Sequence, residues 1–157
     1  MKEISLQVNG QQHNLQIDDP STPLLYVLRN QLELNGPKYG CGLEQCGSCM
    51  VLVDGKAMPS CRMPVSATAD KKIVTLEGLI DEKDNLHPVQ QAFVEQQAAQ
   101  CGYCLNGMVI SAVALLDENN NPDDTAIREG MERVLCRCSV QPRVMRAIRS
   151  AAQNMNP

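Results

Sequence analysis

Hydrophobic positions change their period midway along this chain. Residues 3–8 (EISLQV) alternate, with Ile4, Leu6 and Val8 on one side, as in a strand with one buried face. Asn9-Gly10 is the dipeptide of a two-residue hairpin turn, so residues 13–17 (HNLQI) are expected to return as a second strand. His13 is expected to face away from Leu15 and Ile17 and to be solvated. From residue 23 the spacing becomes helical through LLYVLRNQL, with Leu24, Leu25, Val27, Leu28 and Leu32 on one face. Ser21 or Thr22 offers a cap, Pro23 suits the first turn, and Gly36-Pro37 is the expected stop. MVLVDG (50–55) predicts another strand and turn, and IVTL (73–76) a last strand.

The second half reads as helices. Residues 88–99 carry an apolar stripe at Val89, Ala92 and Phe93, joined more weakly by Gln96. Residues 106–118 (NGMVISAVALLDE) are more apolar, as in a buried helix. Pro122 opens a third helix through 135, with Asp123 and Asp124 suited to its N-terminus. Pro142 opens a fourth, with Val144, Ile148 and Ala151 or Ala152 inward. The boundary falls between 77 and 87, in a polar, charged stretch that runs into Pro88. The chain is therefore expected to be α+β: a ferredoxin-like β-grasp domain over 1–78 and a four-helix bundle domain over 79–157.

Eight cysteines sharpen this picture, because they fall into two groups of four. Cys41, Cys46, Cys49 and Cys61 are spaced C-x4-C-x2-C-x11-C. Cys101, Cys104, Cys136 and Cys138 are spaced C-x2-C-x31-C-x-C. Four thiolates complete the ligand shell of one [2Fe–2S] cluster or one tetrahedral zinc. Disulfides are disfavoured, since MKEISLQVNG runs straight into a strand where an export signal would stand.

In the first group, Gly40, Gly42 and Gly47 let a tight loop turn its backbone N–H groups toward the sulfurs. C-x4-C-x2-C is the plant-type ferredoxin spacing, and zinc knuckles follow another pattern. The second group is less specific: spacing alone leaves zinc and iron–sulfur open. Its two halves each precede a helix, so two helix N-termini would face one anionic centre.

Bulk properties exclude some roles. The net charge of −4 argues against nucleic-acid binding. No apolar run is long enough to span a membrane, and a cytoplasmic location is expected. With 3% aromatics, no Trp and one Phe, the core is thin in large rings, so internal metal centres would be useful staples. Both cysteine shells are full, so neither His13 nor His87 is needed as a ligand, and His87 is read as a turn residue. Arg137, between two candidate ligands, either offsets cluster charge or is an ordinary surface residue. Arg143, Arg146 and Arg149 read as a solvated face.

Taken together, G-C-G-L-E-Q-C-G-S-C, then P-S-C, Q-C-G-Y-C and L-C-R-C resemble the small iron–sulfur subunit of the xanthine dehydrogenase family of molybdenum hydroxylases. N-G-P-K-Y-G-C-G-L, H-P-V-Q-Q-A-F and A-A-Q-C-G-Y-C-L-N-G are most similar to nicotinate dehydrogenase and isoquinoline oxidoreductase small subunits, with aldehyde-oxidising enzymes also close. The resemblance implies two [2Fe–2S] clusters: Cys41, Cys46, Cys49 and Cys61 would hold the outer one, and Cys101, Cys104, Cys136 and Cys138 the inner one. It implies that Gln100 and Cys138 approach a molybdopterin, in its cytosine dinucleotide form, held by a large partner subunit. It also implies an acceptor, either a FAD subunit or a cytochrome c domain, and an N-heteroaromatic or aldehyde substrate. No catalytic residue is expected in this chain.

Two stretches depart from the family pattern. Leu105-Asn106-Gly107 stands where Thr-Pro-Gly is common, and Ser139-Val140-Gln141-Pro142 where a glycine soon follows. Asn106 or Ser139 is expected to cap the helix that follows it. A free-standing two-cluster carrier and a zinc-stabilised interaction module are the competing readings.

Overall fold

The structure, a computed structural model, describes residues 2–156. Five strands form one mixed sheet: β1 (Lys2–Val8), β2 (Gln11–Ile17), β3 (Met50–Val53), β4 (Lys56–Pro59) and β5 (Lys72–Val74), in the order β2-β1-β5-β3-β4. Only the β1–β5 pairing is parallel. Five α-helices accompany it: α1 (Leu24–Asn30), α2 (Pro88–Glu95), α3 (Leu105–Glu118), α4 (Asp124–Met131) and α5 (Gln141–Met155).

The alternating pattern of β1 is realised, with Ile4, Leu6 and Val8 buried beneath α1. Asn9 and Gly10 both take positive φ, 52° and 77°, as a tight right-twisted hairpin requires. The Asn9 side chain also accepts from the Thr75 amide at 2.9 Å, which pins the hairpin turn to the end of β5. Asp54 and Gly55 make the second hairpin with the same two positive φ angles. Its outgoing strand, β4, is absent from the sequence reading. KAMP shows no buried alternation, ends in proline and lies at the sheet edge, where a missing N–H is tolerated.

β3 has both faces covered, which joins the two halves of the molecule. Its successive side chains point to opposite sides. Val51 enters the core under α1, whereas Met50 and Leu52 enter the core built by α2, α3, α4 and α5. The single Phe, Phe93, lies in that second core with Met108, Ile110, Ile127 and Ile148. Branched aliphatics and methionine thus fill the space that aromatic rings occupy elsewhere.

Several expectations are corrected. His13 shares the face of Leu15 and Ile17 and is half-buried, because residues two apart on a strand point the same way. Neither Ser21 nor Thr22 caps α1: Pro23 precedes it without a side-chain bond, and Ser21 bonds Asp19 instead. α1 ends at Asn30, before Gly36-Pro37, as the amides of Gln31 and Leu32 both return to the Val27 carbonyl. α2 closes at Glu95, short of 99, and α4 spans only Asp124–Met131, with Asp123 accepting from the Ala126 amide at 2.8 Å. His87 is more than a turn residue. It caps α2, taking the Val89 amide on Nδ1 at 3.2 Å while Gln90 returns to the His87 amide at 3.0 Å. Among the described residues no helix is long and apolar enough to cross a membrane.

Candidate metal centres

The first cysteine group is local. Cys41 and Cys46 lie on the loop between α1 and β3, Cys49 directly precedes β3, and Cys61 follows β4. The β3–β4 hairpin brings the last two together, and the Ser60 hydroxyl holds the turn by donating to the Cys49 carbonyl at 2.7 Å. Both pack against Leu25 of α1. The loop wraps its amides onto sulfur. Leu43 and Gln45 donate to Cys41 Sγ at 3.2 and 3.3 Å, and the Cys41 amide donates to Cys46 Sγ at 3.3 Å. Gly40 is required by proximity, since a Cβ there would sit 2.6 Å from Cys46 Sγ.

These bonds set the acidity of the thiols. Burial would raise Cys41, but the amides of Leu43, Gln45 and Cys46 outweigh it and bring the thiol down to about 7. Burial pushes Cys49 up to about 11, with the neighbouring Cys61 thiol adding to the rise. Such a site favours negative sulfur at the loop and releases its buried protons only when a cation replaces them.

The second group is assembled from distant segments. Cys101 and Cys104 precede α3, and Cys104 is the residue at its N-terminal boundary. Cys136 and Cys138 lie between α4 and α5. Gln100 spans the two segments, its Nε2 donating to the Cys138 carbonyl at 2.7 Å. Gln141 of α5 donates to the Cys136 carbonyl at 3.3 Å. The Tyr103 amide lowers Cys101. Burial opposes the amides of Val140, Cys138 and Ser139 at Cys136, and the amides prevail. Cys104 is pushed up to about 12 by burial and by Cys136. Cys138 rises too: the Cys101 amide lowers it, but the Cys101 thiol and burial outweigh that bond.

Within each group the thiols influence one another's acidity: Cys41 and Cys46, Cys49 and Cys61, and Cys101, Cys104, Cys136 and Cys138. Four neighbouring thiols per group match the four thiolates that a two-iron core takes. Amide donors on the sulfurs and the N-termini of α3 and α5 beside the second group suit its negative charge. The residues present therefore fit two [2Fe–2S] clusters.

The two cysteine loops also touch each other. The Leu135 amide, one residue before Cys136, donates to the Cys46 carbonyl at 3.0 Å. The Tyr103 hydroxyl donates to the Tyr39 carbonyl, next to Gly40-Cys41. Tyr39 in turn stacks on Tyr26, with ring centres 6.3 Å apart. All three tyrosines of the chain thus gather over the cysteine loops. Gly107 abuts the Gly47 carbonyl, which a Cβ would overlap.

Neither expected cap forms. Asn106 lies inside α3, fully buried, and Ser139 takes positive φ ahead of Val140, the residue bordering α5. Arg137 is exposed between Cys136 and Cys138. Of the three arginines on α5, Arg149 pairs with Asp124 of α4 and Arg143 reaches the Gln97 carbonyl, so that face braces neighbouring elements. Tyr103 stands in the Q-C-G-Y-C stretch, but nothing in that stretch points to its bond with the first loop. The signals for Asn106 were its cap-like composition and its place in a stretch that departs from the family pattern, and neither points to a bond across to the first group.

Comparison with known proteins agrees with this geometry. The 2Fe-2S iron-sulfur cluster binding domain matches residues 6–75, and the [2Fe-2S] binding domain matches residues 75–149. A nicotinate dehydrogenase subunit of Pseudomonas putida is 54% identical over 150 residues, covering 96% of this chain and 94% of that one. The alpha subunit of isoquinoline 1-oxidoreductase from Brevundimonas diminuta is 41% identical, covering 93% and 95%. Aldehyde oxidoreductase from Desulfovibrio gigas superposes with a TM-score of 0.92 at 39% identity; the match covers 99% of this chain but only 17% of that much longer one. With two cluster-binding domains in tandem and relatives that match along nearly their whole length, the chain belongs to the iron–sulfur subunits of the xanthine dehydrogenase family of molybdenum hydroxylases.

Proposed function

We propose that this chain carries electrons out of a molybdenum hydroxylase, from a large molybdopterin-binding partner to an external acceptor. One observation carries the reading: the two groups of four cysteines lie on loops joined by direct hydrogen bonds, with backbone amides on the first group's sulfurs and Gln100 tying the two segments of the second. Cys41, Cys46, Cys49 and Cys61 hold the outer cluster, and Cys101, Cys104, Cys136 and Cys138 the inner one. Each cluster supplies one-electron chemistry when bound. The chain's own groups do the rest. Amides of Leu43, Gln45 and Cys41 stabilise negative sulfur at the outer site, and those of Val140 and Tyr103 do so at the inner site. Gln100 locks Cys138 to the segment bearing Cys101 and, with Cys138, faces the pterin, in its cytosine dinucleotide form.

The surroundings of the second group support a bound partner over a free carrier. Tyr103 (50% exposed) and Leu135 (62%) flank it with uncovered apolar surface. Nearby, Leu86 and Val94 line an open groove of about 360 Å³ with Phe93 and Leu105. The chain divides into a β-grasp unit over 1–78 and a four-helix unit over 79–157, joined through the two-faced strand β3. A nicotinate-like N-heteroaromatic is the favoured substrate, after the name of the Pseudomonas putida relative, with an aldehyde as the other class. The acceptor is a FAD subunit or a cytochrome c domain, and the complex works in the cytoplasm.

Co-expression with a large molybdopterin-binding subunit tests the reading. A coloured complex with four irons and four acid-labile sulfides per chain, showing two distinct EPR signals on reduction, is expected. A colourless chain containing zinc overturns it.

A further inference from the structure

Asn106 is the second residue of α3, which begins at the second cysteine group, yet its side chain serves the first. Its Nδ2 donates to the carbonyl of Ser48 at 3.0 Å and to that of Met50 at 2.9 Å. These two carbonyls flank Cys49. The residue is 0% exposed, and its Oδ1 is buried with no partner. A leucine of similar size would fill this space but take the donor away from both carbonyls, so packing alone does not account for an asparagine.

The two donors answer a specific need. β5 pairs with β3 only at Leu52 and Val53, so the Met50 carbonyl lies past the end of that ladder. The Cys49 carbonyl is already taken by Ser60 on the β4 side. The Ser48 carbonyl also accepts from the Lys38 amide at 2.9 Å, so Asn106 supplies the missing donor at Met50 and ties both peptides around Cys49. Beside it, Gly107 lets the first turn of α3 close onto the Gly47 carbonyl. A helix that starts just after Cys104 is thereby held in fixed register against Cys49.

We propose that Asn106 is a positioning residue that couples the two centres, placing the buried positive end of its amide dipole against the Cys49 peptides. The inference rests on the two-cluster reading above. A positive dipole end beside the outer site favours its reduced, more negative form, so losing it lowers the outer midpoint potential.

The test is an EPR-monitored redox titration of the complex with its large subunit. Asn106→Leu keeps the volume and removes both donors. It should lower the midpoint of the outer signal and leave the inner one in place. The expected change in electron sharing between the two is about tenfold, or 59 mV for a one-electron couple. Asn106→Ser keeps one hydroxyl donor and should shift the same signal in the same direction by less. Unchanged midpoints in Asn106→Leu overturn the proposal. If that variant does not assemble, unchanged midpoints in Asn106→Ser overturn it. Fewer than two signals in the unsubstituted complex overturns the two-cluster reading instead.

Discussion

The two cysteine groups solve one chemical problem by different routes. The first is built within a loop and hairpin of 21 residues, and its amides reach sulfur through local turns. The second joins segments more than thirty residues apart, and α3 and α5 must be packed before its thiols meet. A local site depends on backbone conformation, so glycines and amide direction dominate it. A site assembled from afar depends on helix packing, so its integrity is that of the helical core. The first should accordingly tolerate damage to the helices better than the second tolerates damage to itself.

The largest expected effect breaks the comparison open. Cys104→Ser removes a ligand at the start of α3, and should abolish one EPR signal and association with the large subunit while the other signal persists. Cys41→Ser should abolish the other signal and leave that association intact. Retention of both signals in Cys104→Ser refutes its assignment.

A smaller effect probes the contact between the groups. Gly107→Ala forces a Cβ into the Gly47 carbonyl, a backbone atom that cannot move aside cheaply. A loss of about 1–3 kcal/mol is expected. Thermal unfolding of the purified chain measures it, and an unchanged melting temperature would mean that the loops do not press together here.

The smallest effect concerns the junction ahead of the helices. Burial lowers the His87 pKa below 6.5, and its neutral Nδ1 accepts the Val89 amide. The sign follows: the capped, neutral form is stable above pH 6.5. That contribution fades as the pH falls below 6.5 and is gone below the depressed folded value. His87→Ala should cost about 1 kcal/mol at neutral pH, the typical value of a lost N-cap. It should also flatten the stability profile below pH 6.5, which denaturant titration at a series of acidic pH values would reveal. A profile of unchanged slope would exclude His87 as its source.

Much of the fold was legible because its cues are short-range. The alternation in β1, the Asn9-Gly10 turn and the stripe of α1 each follow from neighbours within a few residues. β4 was not legible, as KAMP owes its strand conformation to pairing with β3 rather than to any pattern of its own. Helix ends were misjudged where tertiary bonds stop them: α4 closes at Met131, and soon after the chain turns so that the Leu135 amide reaches Cys46. Asn106 had the composition of a cap and the role of a clamp, because burial withdrew it from its own helix end and offered it two distant carbonyls.

By itself the order of residues pointed to two groups of four cysteines, since a C-x4-C-x2-C loop with glycines between its thiols suits a compact centre. It determined the change from strands to helices, which periodicity encodes directly. Only the tertiary structure decided how the second group closes and how the two groups meet. Those features rest on β3 burying both faces, on Tyr103 and Leu135 reaching the first loop, and on Asn106 finding Ser48 and Met50. Each is a contact between residues far apart in sequence, which only the packed chain brings together.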